Sequence, residues 1–127
     1  MEIKITKTIP YDVLESVIVT AMEGGSNYWY WLSDLSMLKG RYPGEPLSIR
    51  IAKAVFLDGI DIPVHDCEDP QSELGTLKGD AIQERLQALA DDQGLSDHLD
   101  AELRGEGDAT SSDVVFQFMV MGELVYS

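Results

Sequence analysis

The densest chemistry in the sequence is His65-Asp66-Cys67-Glu68-Asp69, where an imidazole, a thiol and three carboxylates fall within five positions. These are metal-ligand types. A zinc site, however, draws its ligands together from defined spacings, and a contiguous run in extended chain sends alternate side chains to opposite sides. Asp58, Asp61, Asp66 and Asp69 also lack the EF-hand spacing with its turn glycine and terminal glutamate. The run therefore reads as a solvated loop, with no metal expected. His98, the only other histidine, reads as a helix-surface residue. Neither histidine stands beside a serine or cysteine in a recognisable nucleophile motif. Carboxylate pairs are abundant in any chain this acidic and do not argue for glycosidase chemistry. The expectation is a protein that is not an enzyme and holds no cofactor.

The most specific string is Glu23-Gly-Gly-Ser-Asn-Tyr-Trp-Tyr-Trp31. Gly24 and Gly25 free the backbone, Ser26 and Asn27 offer hydrogen bonds, and Tyr28, Trp29, Tyr30 and Trp31 present four consecutive rings. Stacking plus amide contacts is the means by which proteins hold a base, a nucleotide or a sugar. The spacing matches neither a P-loop nor a dinucleotide fingerprint, so phosphate cradling is not implied. Two readings stand side by side. In one, Gly24 to Trp31 sequesters a nucleotide-like signal, which requires a pocket at the Gly-Gly turn with one ring exposed. An anionic ligand would also need Lys39, Arg41, Arg50 or Lys53 to converge there. In the other, the string is a helix stop, a cap for the next element and a set of aromatic core anchors.

Charge is the most unusual bulk property: 23 acids face 9 bases, for a formal net charge of −14. It is not spread evenly. Residues 1–57 hold six acids and six bases, whereas 58–127 hold seventeen acids against Lys78, Arg85 and Arg104. Such a field repels nucleic acid and anionic lipid, and it speeds and orients encounter with basic surfaces. The candidate acidic face is formed by Asp58, Asp61, Asp66, Glu68 and Asp69 in one segment and by Asp91, Asp92, Asp97, Asp100, Glu102, Glu106 and Asp108 in the other. These would act as phosphate surrogates, since duplex DNA itself carries about one negative charge per 1.7 Å of axis. The plain alternative is that the acidity only keeps the chain soluble.

The elements that must carry these residues follow from periodicity. Ile3 and Ile5 alternate with polar neighbours, which predicts a strand over 2–7. Pro10, Asp12 and Glu15 open a helix with Val13, Leu14, Val17, Ile18 and Ala21 on its inner face, closed by Gly24-Gly25. Tyr28 to Leu38 fits helix or strand. Tyr42 to Pro46 is a turn. Ser48–Leu57 and Gly59–Val64 are rich in β-branched residues, and Asp58-Gly59 between them predicts an antiparallel hairpin. His65 to Gly75 is expected as an exposed loop. Helices are expected over 80–90, over 96–103 with Ser96 as cap, and over 114–121 after the capping residues Thr110-Ser-Ser-Asp113. Glu123 to Tyr126 suits a final edge strand.

The fold class is therefore α+β, one domain over residues 1–127, with a small antiparallel sheet of three to four strands and three to four helices. An apolar fraction of 44% and one unpaired cysteine, Cys67, suit a core that needs no disulfide. No stretch has the apolar length to cross a bilayer, and the amino terminus lacks the basic start and apolar run of a signal peptide, so a cytoplasmic place is expected.

Ala21-Met-Glu-Gly-Gly-Ser-Asn-Tyr-Trp-Tyr30, then Asp108-Ala-Thr110, Asp113, Gln117 and Gly122-Glu-Leu-Val-Tyr126, resemble a family of short, uncharacterised phage and prophage proteins. Those blocks cover about a quarter of the chain. The resemblance implies phage or mobile-element origin and action inside a bacterium, and it brings no assigned activity or site residues. With the one-sided charge it leads to the expectation of a phage-encoded acidic inhibitor. As a DNA mimic, it would occupy the basic surface of a host nucleic-acid-binding protein of the CRISPR or restriction type. It would bind no nucleic acid itself and no membrane. Small-ligand binding through Gly24 to Trp31 is the alternative of a different class, and a virion or interaction role is the third.

Overall fold

A computed structural model describes every residue except Lys4. Five helices and a three-stranded antiparallel sheet give the expected α+β class. The helices are α1 (Tyr11–Thr20), α2 (Leu47–Phe56), α3 (Ile82–Ala90), α4 (Ser96–Leu103) and α5 (Ala109–Met121), and the strands are β1 (Tyr30–Trp31), β2 (Ile62–Asp66) and β3 (Glu73–Leu77). The sheet order is β1-β2-β3, with Trp31 opposite His65 and Ile62 opposite Leu77.

α5 is the axis of the molecule. Every residue from Ser111 to Val120 is buried, because α1, α3, α4 and β3 pack around it. A helix apolar on nearly all sides is stable only when enclosed in this way. Its start is held by a capping box in which Asp108 accepts from the backbone N–H of Ser111 and the Ser111 hydroxyl accepts from the N–H of Asp108. The cap thus lies at Asp108, ahead of the expected Thr110–Asp113 stretch. Its last turn is closed from outside: Arg85 of α3 donates to the carbonyls of Met119 and Val120 and to that of Thr76 in β3. One guanidinium so satisfies helix-end carbonyls and joins three elements. Gly75 lets β3 approach this turn, since a Cβ there would collide with the Val120 carbonyl.

Several expectations fail for identifiable reasons. The Ser48–Leu57 run is helical as far as Phe56, not extended: of its five buried residues, Ser48, Ile51, Ala52 and Val55 are spaced i, i+3, i+4, i+7, and Ala54 widens that face. Their spacing outweighs the β-propensity of Ile and Val, which is the weaker signal. Asp58-Gly59 consequently ends α2 and makes no hairpin. The hairpin instead joins β2 to β3, so the run expected as a loop from His65 to Gly75 is strand at both ends and loop only across 67–72. The described residues of 2–7 form no strand, and Ile3 and Ile5 are exposed, whereas Lys4 lies outside the described residues. Alternation alone makes no strand where no neighbour supplies hydrogen bonds. Leu95, not Ser96, is the cap residue of α4. Glu123 to Tyr126 is not a strand either, and its backbone is held by a side chain described below.

Candidate functional site

The string singled out by its aromatic density lies against the first half of α5. After α1, the chain passes through a wide helical turn over Ala21–Gly25, and Ser26 to Tyr30 then run across the face of α5 that carries Asp113. Asp113 collects the contacts. Ser26 Oγ donates to its Oδ1 at 2.7 Å and Trp29 Nε1 to the same oxygen at 2.8 Å. Gln117 Nε2 donates to Oδ2 at 3.2 Å, and the Tyr28 hydroxyl donates to Oδ2 as well. A carboxylate taken out of water needs its lone pairs filled, and four donors fill them. The Tyr28 hydroxyl is pushed up to about 12, first by burial, then by this hydrogen bond and by the charge of Asp113.

Gln117, one turn further along α5, clamps the carboxyl-terminal segment. Its Oε1 accepts from the N–H groups of Val125 and Tyr126, both at 2.9 Å, and its Nε2 donates to the Tyr126 carbonyl at 3.0 Å. The Tyr126 ring then stacks on Trp29, centroids 5.5 Å apart and planes 12° from parallel. Trp29 is 1% exposed and also meets Phe116 at 5.4 Å. Across the same block, Cys67 donates its N–H to the Trp29 carbonyl and its thiol to that of Tyr28. The loop that begins with Cys67 is thereby pinned to the string.

Between these parts lies an open groove of about 470 Å³. It is lined by Gly25 and Tyr28 of the string, by Thr110, Asp113 and Val114 of α5, by His98 of α4, and by Leu124 and Tyr126 of the carboxyl-terminal segment. Tyr28 is 48% exposed, so one ring of the string does stand open beside the Gly-Gly turn. Gly24 and Asn27 are exposed and lie outside the groove lining, Trp29 and Tyr30 are buried in the core, and Trp31 is exposed on the sheet opposite His65. Trp29 and Tyr30 thus serve as core anchors, and Ser26 is buried against Asp113.

The basic residues an anionic ligand would need do not gather there. Arg41 pairs with Asp58 at 2.9 Å, Lys53 with Glu45 at 3.1 Å, and Arg50 donates to the carbonyls of Leu38 and Arg41. Lys39 is exposed on the turn after Leu38, and among the described residues no lysine or arginine lines the groove.

The twelve acids of the proposed face have separate fates. Asp61, Glu68, Asp69 and Asp97 are exposed, and among the described residues their side chains make no hydrogen bond or ion pair. Asp91 is exposed and accepts from Gln87, Asp66 accepts from the N–H of Glu68, and Asp92 from those of Gly94 and Leu95. Asp100 lies 3.7 Å from Lys7, Glu106 pairs with Arg104 at 3.0 Å, and Asp58 also accepts from the Tyr42 hydroxyl. Asp108 caps α5, and the Ser111 N–H holds its carboxyl below the usual range. Glu102 must be removed from the face. It is 6% exposed and turned inward, accepting from the Ser111 and Ser112 hydroxyls at 2.7 Å each. Among the described residues, no group of three His, Cys, Asp or Glu side chains comes together as a metal would require.

No family profile, curated protein or solved structure matches this chain. Geometry alone identifies the groups that organise the site. In the sequence, Asp113 stands out as part of a capping stretch, Gln117 as part of a buried helix, and both among the residues of the phage-protein resemblance, none of which gives them this role. The available signal was two hydrogen-bonding side chains one turn apart on an otherwise apolar helix, which must find partners when buried.

Proposed function

We propose that this protein acts without catalysis, by occupying a basic, nucleic-acid-binding surface on another protein. In this reading it is a phage-encoded DNA mimic working in the cytoplasm of a bacterial host, and its target is a defence protein of the CRISPR or restriction type. One observation carries the reading: both acidic segments keep exposed carboxylates that the chain leaves uncompensated. Asp61, Glu68 and Asp69 project from the first, Asp91 and Asp97 from the second, and the bases of that half are occupied or outnumbered. Arg85 is bound to three carbonyls and Arg104 to Glu106. Carboxylates placed in this way satisfy a basic groove as phosphates do. No described helix is long and apolar enough to cross a membrane.

The test is capture from lysate of a bacterial host carrying such defence systems, with the wild-type chain and with a variant carrying Asp61, Glu68, Asp69 and Asp97 all changed to lysine. Among the described residues none of the four side chains makes a hydrogen bond or ion pair, so the variant should fold. The expected result is a nucleic-acid-binding protein held by the wild type, released by added duplex DNA and not held by the variant. Retention that neither DNA nor charge reversal weakens overturns the reading.

The exposed Tyr28 ring favours a second reading, capture of a small ligand in the groove. Among the described residues no lysine or arginine is on its walls, which favours a neutral or cationic ligand over an anionic nucleotide. Calorimetry against neutral and cationic metabolites tests it, and absence of heat with all of them removes it.

A further inference from the structure

Both acidic segments come close to the groove beside Tyr28. The hydrogen bonds from Cys67 to the Tyr28 and Trp29 carbonyls set Asp66 and Glu68 beside the string, and both are near enough to the Tyr126 hydroxyl to raise its pKa, after burial has done so. Asp108 directly precedes Ala109 and Thr110 of the lining and stands within Coulomb reach of His98. Asp113 adds a fixed charge to the lining, and because its oxygens are filled by four donors it acts through its field and not as a direct ligand. The positive end of α5 is already met by the Asp108 carboxylate, so it offers little to an anion. Among the described residues of the lining, His98 is the one nitrogen base. The surface between these charges is aromatic and aliphatic: Tyr28, Val114, Leu124 and Tyr126.

An apolar trough with an open ring and carboxylates of both acidic segments close by is complementary to one kind of side chain. Arginine lays an aliphatic stem on apolar surface and a planar cation over a ring, and those carboxylates answer its charge. We propose that the groove between Tyr28, Thr110 and Tyr126 seats an arginine side chain of the partner protein. This rests on the reading of the chain as an occupant of a basic surface, and it adds the anchor that a diffuse field lacks. Basic surfaces that bind nucleic acid are rich in arginine, and a single desolvated arginine commonly carries much of an interface's energy.

The probe is N-acetyl-L-arginine methylamide, followed by backbone amide shifts of the labelled protein, with the citrulline analogue as its neutral counterpart. The expected result is saturable shifts centred on Gly25, Tyr28, Thr110, Val114 and Tyr126 with arginine and none with citrulline. Thr110→Arg places the chain's own guanidinium at the exposed rim without touching the Asp113 network, and it should weaken the probe at least tenfold. Equal saturation by citrulline, shifts spread over the exposed acids without a centre at the groove, or unchanged binding to Thr110→Arg each overturns the proposal. The two readings fail separately: a partner lost on reversal of Asp61, Glu68, Asp69 and Asp97 but held by Thr110→Arg removes the groove alone, and a partner that neither that reversal nor added DNA releases removes the broader reading.

Discussion

Asp113 is where two segments more than eighty residues apart are joined, since Ser26, Tyr28 and Trp29 all donate to it. Asp113→Asn keeps the shape but turns an amide NH₂ toward groups that are themselves donors. With two or more donors left unanswered, the variant should lose about 2–4 kcal/mol in chemical denaturation, and a loss under about 1 kcal/mol would show that the network does not hold the string to α5. Tyr28 gives a pH test of the same contact. Its folded pKa of about 12 lies above the ordinary value of 10.0, so its neutral form is favoured by folding. That contribution is complete below pH 10 and is lost as pH rises through about 12. Tyr28→Phe should therefore flatten the fall in stability over that window, measured by denaturation at several pH values. At this scale the sequence was half legible. It drew attention to Glu23–Trp31 but not to the acceptor, because nothing local marks a carboxylate that is answered from eighty-five residues away.

At the scale of elements, the carboxyl-terminal segment shows how a side chain replaces a sheet neighbour. Glu123 to Tyr126 has strand composition, but no strand lies beside it, and Gln117 supplies an acceptor and a donor to its backbone in place of one. Gly122 makes the segment possible: it ends α5 at φ +75°, in the left-handed region, and turns the chain back over Trp29. Gly122→Ala should cost about 1 kcal/mol. Gln117→Ala should free Tyr126 from Trp29, read as loss of amide protection at Val125 and Tyr126 together with a change in tryptophan fluorescence. Protection retained in that variant would mean that stacking alone holds the segment. The helices with clear inner faces, α1 and α3, were legible from spacing, and α4 from the punctuation at its two ends. α2 was not, because its isoleucines and valine weigh toward strand until the positions they bury are known.

Across the whole molecule, charge rather than shape points outward. Bases of the neutral first part are engaged in the Arg41–Asp58 and Lys53–Glu45 pairs and in the Arg50 carbonyl contacts, and the acidic remainder carries exposed carboxylates that have no hydrogen-bond or ion-pair partner among the described residues. Composition made this asymmetry plain before any fold was known, but not which acids are free. Glu102 and Asp108 look no different in the sequence from Asp97, and only packing turns the first inward and makes the second a helix cap. A partner held by exposed charge is screened over about 8 Å at physiological ionic strength. The most direct measurement is accordingly the affinity of the captured partner as salt rises. A fall of at least tenfold, about 1.4 kcal/mol, between low and high salt is the result expected of a surface that replaces DNA. An affinity unchanged by salt would contradict it and move the contact to the exposed apolar residues Trp31, Leu124 and Val125.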